Sequence, residues 1–206
     1  STFTYTILGV APCNTDTSTA TITIHPQPVA GTDGNTTVCE NDATVIDLFT
    51  LITGEQTGGV WTRDATSTGG TFNATAGTFT PAVGATTSTF TYSVTGTTPC
   101  GVDTSEAIVY INAQPIAGTS GNTTVCENST LPVDLFSLIT GEQAGGVWTR
   151  NPGGTGGTFN AAAGTFTPAA GATTSSFTYT LIGAAPCSNA RSVATVNINP
   201  QPDAGL

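Results

Sequence analysis

The five cysteines are the residues of this chain whose chemistry is easiest to anticipate, and they recur at a fixed spacing. Cys39 is followed 87 positions later by Cys126. Cys100 lies 87 positions after Cys13 and 87 positions before Cys187. Cysteines scattered through a chain that has one histidine do not form the clustered ligand set of a zinc site. The pattern therefore predicts disulfide bonds and an oxidising compartment.

The spacing permits two pairing schemes for these cysteines. Bonds within each repeat would be Cys39–Cys100 and Cys126–Cys187, with Cys13 unpaired because its partner would lie upstream. Bonds across the joints would be Cys13–Cys39 and Cys100–Cys126, with Cys187 left over. In the loop-closure model each bond within a repeat stabilises the fold by roughly 4.3 kcal/mol and each bond across a joint by roughly 3.6 kcal/mol. These values are too similar to decide between the schemes. We predict the scheme within repeats, because it suits independently folded units.

Two tryptophans, Trp61 and Trp148, are the residues that could stack on sugar rings and make each repeat a glycan-binding module. A tryptophan in a short Gly-Gly-Val-Trp strand is more typical of a β-sandwich core. We expect both tryptophans in the core, which two aromatic pairs would complete: Phe90, Tyr92, Phe177 and Tyr179.

The acidic residues and the single histidine give weaker indications of chemistry. No stretch has the alternating oxygen ligands of a calcium loop, so we expect no cofactor, with calcium at the joints kept as an alternative. His25 has Asn112 at the equivalent position of the next repeat. A Ser-His-Asp relay would therefore exist once in a repeating protein, and we expect no enzymatic activity.

The overall charge excludes some classes of partner. The chain has 206 residues, a formal net charge of −10, three Lys and Arg residues together, and no lysine among them. A nucleic-acid-binding protein needs a cationic surface, and none can be built from this composition. An anionic membrane surface would be repelled for the same reason, and no apolar stretch approaches the ~20 residues of a membrane span.

The 87-residue period sets the domain organisation. Phe3-Thr4-Tyr5 recurs at 90–92 and at 177–179, and Trp61 recurs as Trp148, without insertions. The sequence predicts the end of one repeat at 1–28, complete repeats at 29–115 and 116–202, and the start of a further repeat at 203–206. A period of this size suits one small β-sandwich rather than a solenoid turn.

Strand patterns within each repeat predict the fold class. Residues 88–94 alternate apolar and hydroxyl side chains, which is typical of a half-buried antiparallel strand. About seven short strands per repeat, separated by Gly, Asn and Asp, predict an all-β protein of tandem immunoglobulin-like sandwiches. Asp47 is expected to cap one helical turn. Short proline-containing linkers at 27–31 and 114–118 predict semi-rigid joints and an extended rod.

The string Cys39…Ile-Asp-Leu-Phe at 46–49, Gly-Gly-Val-Trp at 58–61, Gly-Thr-Phe at 70–72, Phe-Thr-Tyr at 90–92 and Pro-Cys at 99–100 resembles a known repeat type. Such immunoglobulin-like repeats occur in giant cell-surface proteins of the phylum Bacteroidota, including gliding-motility adhesins. The resemblance covers essentially the whole chain. It implies export to the bacterial cell surface and carries over no catalytic residue.

These observations predict a structural or adhesive segment of a long extracellular surface protein or filament, which projects or forms a stalk. The expected partners are neighbouring repeats, surface polysaccharide or other cells. Two alternatives remain at this stage: glycan-binding modules that use Trp61 and Trp148, and passive spacer domains of a secreted enzyme.

Overall fold

The computed structural model describes residues 1–202, and the predicted start of a further repeat at 203–206 lies outside the described residues. The chain is built almost entirely of β-strands. In chain order they are β1 Thr2–Ile7, β2 Asp16–Thr21, β3 Gly34–Cys39, β4 Ile46–Asp47, β5 Val60–Arg63, β6 Thr71–Asn73, β7 Thr78–Thr80, β8 Ser88–Thr95, β9 Val102–Asn112, β10 Gly121–Cys126, β11 Val133–Asp134, β12 Val147–Arg150, β13 Thr158–Asn160, β14 Thr165–Thr167, β15 Ser175–Leu181 and β16 Ala190–Asn199. Short 3₁₀ helices lie at Leu48–Thr50 and Phe136–Leu138. Within residues 1–202, neither helix has the length or the apolar character needed to cross a membrane.

The strands form two sandwiches with the same topology, which we call unit 1 (residues 29–115) and unit 2 (residues 116–202). Unit 1 has a four-stranded sheet in the order β3-β9-β8-β5 and a three-stranded sheet in the order β4-β7-β6. Unit 2 repeats this arrangement as β10-β16-β15-β12 and β11-β14-β13. The first strand of each unit pairs in parallel with the last, while the other pairs are antiparallel.

The alternation predicted for 88–94 produces the core of unit 1. From Ser88 to Val94 in β8 the side chains are alternately buried and half-buried. Phe90 is fully buried and Tyr92 is 1% exposed, because the three-stranded sheet covers this face. The Tyr92 hydroxyl donates to the carbonyl of Gln56 at 2.7 Å and accepts from the amide of Gly59 at 2.9 Å. The phenol is thus satisfied where water is excluded, as burial of a tyrosine requires.

Asp47 caps the short 3₁₀ helix, as expected from the sequence. Its Oδ1 accepts from the amide of Phe49 at 3.0 Å, and Asp134 does the same for Phe136 in unit 2. The cap directs Phe49 onto the core, where its ring meets Trp61 edge-on at a centroid distance of 5.4 Å.

An arginine lies over the aromatic core of each unit, and among residues 1–202 its hydrogen bonds go to a backbone carbonyl and a serine hydroxyl rather than to a carboxylate. Arg63 donates to the carbonyl of Gly69 at 2.6 Å and to Ser88 Oγ at 2.8 Å. Its guanidinium sits 5.0 Å from the centroid of the Phe79 ring, a cation–π arrangement. Burial lowers the pKa of Arg63, because desolvation disfavours the charged form. Arg150 makes the equivalent contacts in unit 2.

The linkers are held against the unit that follows them. Val29 donates its amide to the side chain of Gln56, and Gln56 returns a backbone bond to the Val29 carbonyl at 2.8 Å. Ala30 is fully buried, and its carbonyl accepts from the hydroxyl of Ser105 at 2.7 Å. Unit 2 repeats this arrangement, with Ser192 donating to the carbonyl of Ala117. These contacts fix how the chain enters each sandwich.

Residues 1–28 form a two-stranded hairpin, β1-β2, in a register that joins Thr2 to Thr21. Phe3 and Tyr5 correspond by position to Phe90 and Tyr92, yet they are 56% and 67% exposed. The same sequence is therefore buried in the units, where a second sheet covers it, and exposed in the hairpin.

Candidate functional site

The feature that distinguishes this molecule is a disulfide bond between the two units. Cys39 at the end of β3 in unit 1 is bonded to Cys187 in the β15–β16 loop of unit 2. Their Cα atoms are 5.0 Å apart, within the range that a disulfide spans, and the two residues are separated by 148 positions. Both sulfur-bearing residues are buried, with exposures of 5% and 7%. The bond thus closes a ring that contains most of both sandwiches.

The bond forms because the end of unit 1 receives a loop of unit 2. Asn112 donates its side-chain amide to the carbonyl of Ala185 at 2.8 Å. Gln114 donates to the carbonyl of Ser188 at 3.0 Å. We call the surface formed by Cys39, Asn112 and Gln114 the first socket. It binds the Pro-Cys loop of the next unit through carbonyls that precede and follow Cys187 in the sequence. Side-chain amides suit this role, because loop carbonyls need donors when a neighbour covers them.

Glu40 fixes the shape of the first socket. Its amide donates to the carbonyl of Asn112 at 2.9 Å. One carboxylate oxygen accepts from the amide of Gln114 at 3.0 Å, and the other accepts from Gly84 at 2.8 Å. The carboxylate thus fixes the chain direction just after β9, where the linker to unit 2 begins.

The predicted bonds Cys39–Cys100 and Cys126–Cys187 are wrong, and so are the alternative bonds Cys13–Cys39 and Cys100–Cys126. Cys39 aligns with Asn112 at the far end of β9, whereas Cys100 precedes the start of β9 at Val102. At about 3.3 Å per residue, the length of β9 separates the two sulfurs by more than 30 Å. A disulfide requires Cα atoms within about 7 Å. The parallel register of first and last strands thus excludes a bond within either unit.

The other cysteines, Cys13, Cys100 and Cys126, are unpaired among the described residues. Cys13 was predicted to lack a partner, whereas Cys100 and Cys126 were predicted to be bonded. The thiol of Cys100 lies 3.6 Å from the carbonyl of His25. The Cys187 sulfur has the same relation to the carbonyl of Asn112, at 3.3 Å. Cys100 is thus placed against the preceding segment as Cys187 is placed against unit 1.

The six predicted core residues are all buried. Trp61, Phe90, Tyr92, Trp148, Phe177 and Tyr179 have exposures between 0% and 2%. The hypothesis that Trp61 and Trp148 form sugar-stacking platforms is therefore wrong. Each indole is covered by a phenylalanine of the 3₁₀ helix and a tyrosine of the neighbouring strand, at centroid distances from 5.1 to 5.5 Å.

Acidic side chains near the joints, where calcium was the alternative, accept hydrogen bonds from the backbone. Asp33 accepts from the amide of Glu106 at 2.8 Å, and Asp103 accepts from the amide of Ala30 at 2.7 Å. In unit 2 Ser120 replaces Asp33 and accepts from Val193 through its hydroxyl. Among residues 1–202 there is no group of three or more His, Cys, Asp or Glu side chains suited to a metal ion. His25 contributes its backbone carbonyl to the Cys100 contact described above.

Comparison with known proteins identifies the fold. No protein-family model matches the chain, and no curated protein sequence matches it. A three-domain immunoglobulin fragment of titin, I67–I69 in an E-to-A variant, superposes with a TM-score of 0.50 at 8% identity, covering 90% of this chain and 70% of that one. Another structure of titin I67–I69 gives a TM-score of 0.47 at 9% identity, covering 92% and 71%. Human protocadherin-24 EC1-2 gives 0.42 at 14% identity, covering 87% and 100%. The chain thus has the immunoglobulin-like β-sandwich fold expected from its sequence.

Proposed function

We propose that this chain is a load-bearing structural segment of an extracellular protein, of the kind that forms a stalk or filament for adhesion. The observation that carries the proposal is the Cys39–Cys187 disulfide, which joins two sandwiches that the linker already connects. A second covalent connection stabilises both units by restricting their unfolded chains, and it also changes how the pair responds to tension.

The path of tension follows from the positions of the bonded residues. Force applied to the two chain ends reaches unit 1 through β3 and arrives at Cys39 within six residues. It then crosses the disulfide to Cys187 and leaves through β16. Residues 40–186 lie outside this path and carry no backbone tension while the bond is intact. The disulfide therefore acts as a strap across two folded units.

The chemistry of the chain supports an extracellular location. A buried disulfide persists in oxidising compartments and is rare in the cytosol. The resemblance to cell-surface repeats of Bacteroidota supports a bacterial surface protein, and calcium is not needed in this proposal. No catalytic role is proposed, and the spacer hypothesis remains a prediction. Polysaccharide or other cells remain the proposed targets of adhesion by the protein that contains this segment.

Pulling single molecules from both ends tests the strap. With the disulfide intact, extension is expected to come only from residues outside the ring. Reduction, or Cys39→Ser, should release the chain between the two cysteines, whose sequence separation is 148, or about 500 Å when extended. Cys100→Ser is the matched control, because Cys100 is unpaired, and should extend like the parent.

The result that would contradict the strap is equally specific. Bonds within units would confine about 60 residues each, so Cys39→Ser would release only about 200 Å and Cys100→Ser would release the same length. Extension of both units by the unreduced parent would also refute the proposal.

The extended arrangement of the units is part of the proposal and has a separate test. Eleven residues of β9 span about 36 Å, so each unit should add about 35–40 Å to the length. Small-angle scattering should give the maximum dimension of an end-to-end pair. A compact particle with the units folded side by side would rule this arrangement out.

A further inference from the structure

The far end of unit 2 carries a second copy of the surface that holds the loop at the junction. Cys126 aligns with Asn199 across β10 and β16, as Cys39 aligns with Asn112. Glu127 donates its amide to the carbonyl of Asn199 at 3.0 Å, and its carboxylate accepts from the amide of Gln201 at 3.1 Å. We call Cys126, Asn199 and Gln201 the second socket. Its framework is the one that Glu40 builds in unit 1.

The two sockets differ in what covers them. In the first socket the loop of unit 2 covers the sulfur, and Cys39 is 5% exposed. In the second socket Cys126, Asn199 and Gln201 are all exposed. The interface seen at the junction is thus presented a second time in the described part of the chain, with its thiol and both side-chain amides exposed.

The complementary half of the interface is also exposed, at the opposite end of the chain. Residues 11–13 read Ala-Pro-Cys, as do residues 185–187 of the bound loop. The amide of Cys13 donates to the carbonyl of Val10 at 2.9 Å, and that of Cys187 donates to Ala184 at 2.8 Å. The turn is therefore the same, and Cys13 is exposed.

We propose that the second socket binds the Pro-Cys loop of another copy of this unit and forms a disulfide through Cys126. In a solution of this chain the available loop is the one around Cys13 of a second molecule. By analogy with the junction, Asn199 would donate to the carbonyl of Ala11 and Gln201 to that of Asn14. Such head-to-tail contacts use two different surfaces, so they propagate into a linear polymer unless the geometry closes a ring.

The covalent step requires an oxidant, for which a small-molecule disulfide such as oxidised glutathione suffices. The thiolate of one cysteine attacks this disulfide and expels one glutathione thiolate. The thiolate of the second cysteine then attacks the mixed disulfide and expels the other glutathione. Two thiols lose two protons and two electrons, and one glutathione disulfide becomes two thiols. The contact goes beyond the mechanical role, because it would form whether or not the chain bears load.

Oxidation of two complementary variants tests the pairing. Both carry Cys100→Ser, so that Cys13 and Cys126 are the thiols under test. One also carries Cys13→Ser and the other Cys126→Ser. Each alone should remain without head-to-tail bonds in a glutathione redox buffer, whereas their mixture should give one dimer with a Cys13–Cys126 peptide. The Cys100→Ser chain itself should give a ladder of oligomers on non-reducing gels.

A further substitution separates docking from chance oxidation of exposed thiols. Asn199→Ala with Gln201→Ala should slow formation of the Cys13–Cys126 bond at least fivefold, while the rate of Cys126 alkylation stays unchanged. An equal rate of bond formation would overturn the proposal, and so would a majority of Cys13–Cys13 or Cys126–Cys126 dimers.

A second measurement does not depend on whether the β1-β2 hairpin holds the Cys13 loop in the bound conformation. A chain lengthened by one more copy of residues 116–202 supplies a complete unit with its own Pro-Cys loop. Peptide mapping should find Cys126 bonded to the loop cysteine of the added unit. A free Cys126 in this oxidised chain, together with no dimer in the mixture, would refute the proposal.

Discussion

Loss of the Cys39–Cys187 bond should destabilise both units, although Cys39 belongs only to unit 1. When either unit unfolds beside a folded neighbour, the intact bond closes a loop of roughly 75 unfolded residues. In the loop-closure model this restriction of the unfolded chain is worth about 4.5 kcal/mol. Cys39→Ser removes the restriction from both units, so each should lose about this much stability.

The two tryptophans allow each unit to be followed separately. Trp61 reports on unit 1 and Trp148 on unit 2, and both are 2% exposed in the folded state. Single-tryptophan versions made with Trp148→Phe or Trp61→Phe can be unfolded in guanidinium chloride and monitored by fluorescence. With Cys39→Ser, the midpoint of both transitions should fall by a similar amount. Cys100→Ser is the matched control and should leave the free energy of unfolding of both units within about 0.5 kcal/mol of the parent value.

The response of unit 2 decides the outcome. A bond within each unit would make Cys39→Ser lower the stability of unit 1 alone, by roughly 4.3 kcal/mol in the same model. An unchanged Trp148 transition would therefore refute the junction disulfide. The junction disulfide would also be refuted if reduction left the unfolding midpoints of both units unchanged.

Three further predictions concern the units themselves. Trp61→Ala should cost unit 1 about 3–5 kcal/mol, because it empties a buried site, whereas Tyr110→Ala, at a position 43% exposed, should cost much less in the same melting experiment. Gly34→Ala should lower the unfolding midpoint by the equivalent of about 1–3 kcal/mol, since a Cβ there would overlap a backbone carbonyl; Gly101→Ala, where nothing lies within 4 Å, is the control. The pKa of Asp64 is held below its ordinary value of 3.8 by hydrogen bonds from the threonine two positions on. Its contribution to stability should therefore be present above pH ~4 and be lost as pH falls through the lowered pKa, and NMR titration of this carboxyl should give a midpoint below 3.8.

The sequence predicted the sandwich because its information is local. The alternation along 88–94 predicts a strand with one buried face, and β8 has that pattern over Ser88–Thr95. The cap at Asp47 was predictable for the same reason, because a side-chain oxygen followed by a short apolar run signals a helix start. Identity at an 87-residue interval then implied that both units share one fold.

The junction was not predictable in this way, because it depends on which strand ends lie together in space. The expectation of independently folded units favoured Cys39–Cys100, since distance along the chain did not separate the pairing schemes. The parallel register of β3 with β9 reverses that preference, since it places Cys39 beside Asn112 and not beside the start of β9. The sequence did contain a signal: at the end of each repeat an Asn or His lies two positions before a Gln, as in Asn112 and Gln114. Those residues include the amides that hold the neighbouring loop.

Proteolysis without reduction, followed by mass spectrometry, tests the central claim most directly. The protein is first alkylated in its oxidised state, so that free thiols are blocked and disulfides remain. The structure predicts one cross-linked peptide that contains Cys39 and Cys187, with alkylated Cys13, Cys100 and Cys126 in freshly purified monomer. Peptides joining Cys39 to Cys100, or Cys126 to Cys187, would contradict the claim that a disulfide straps the two units together.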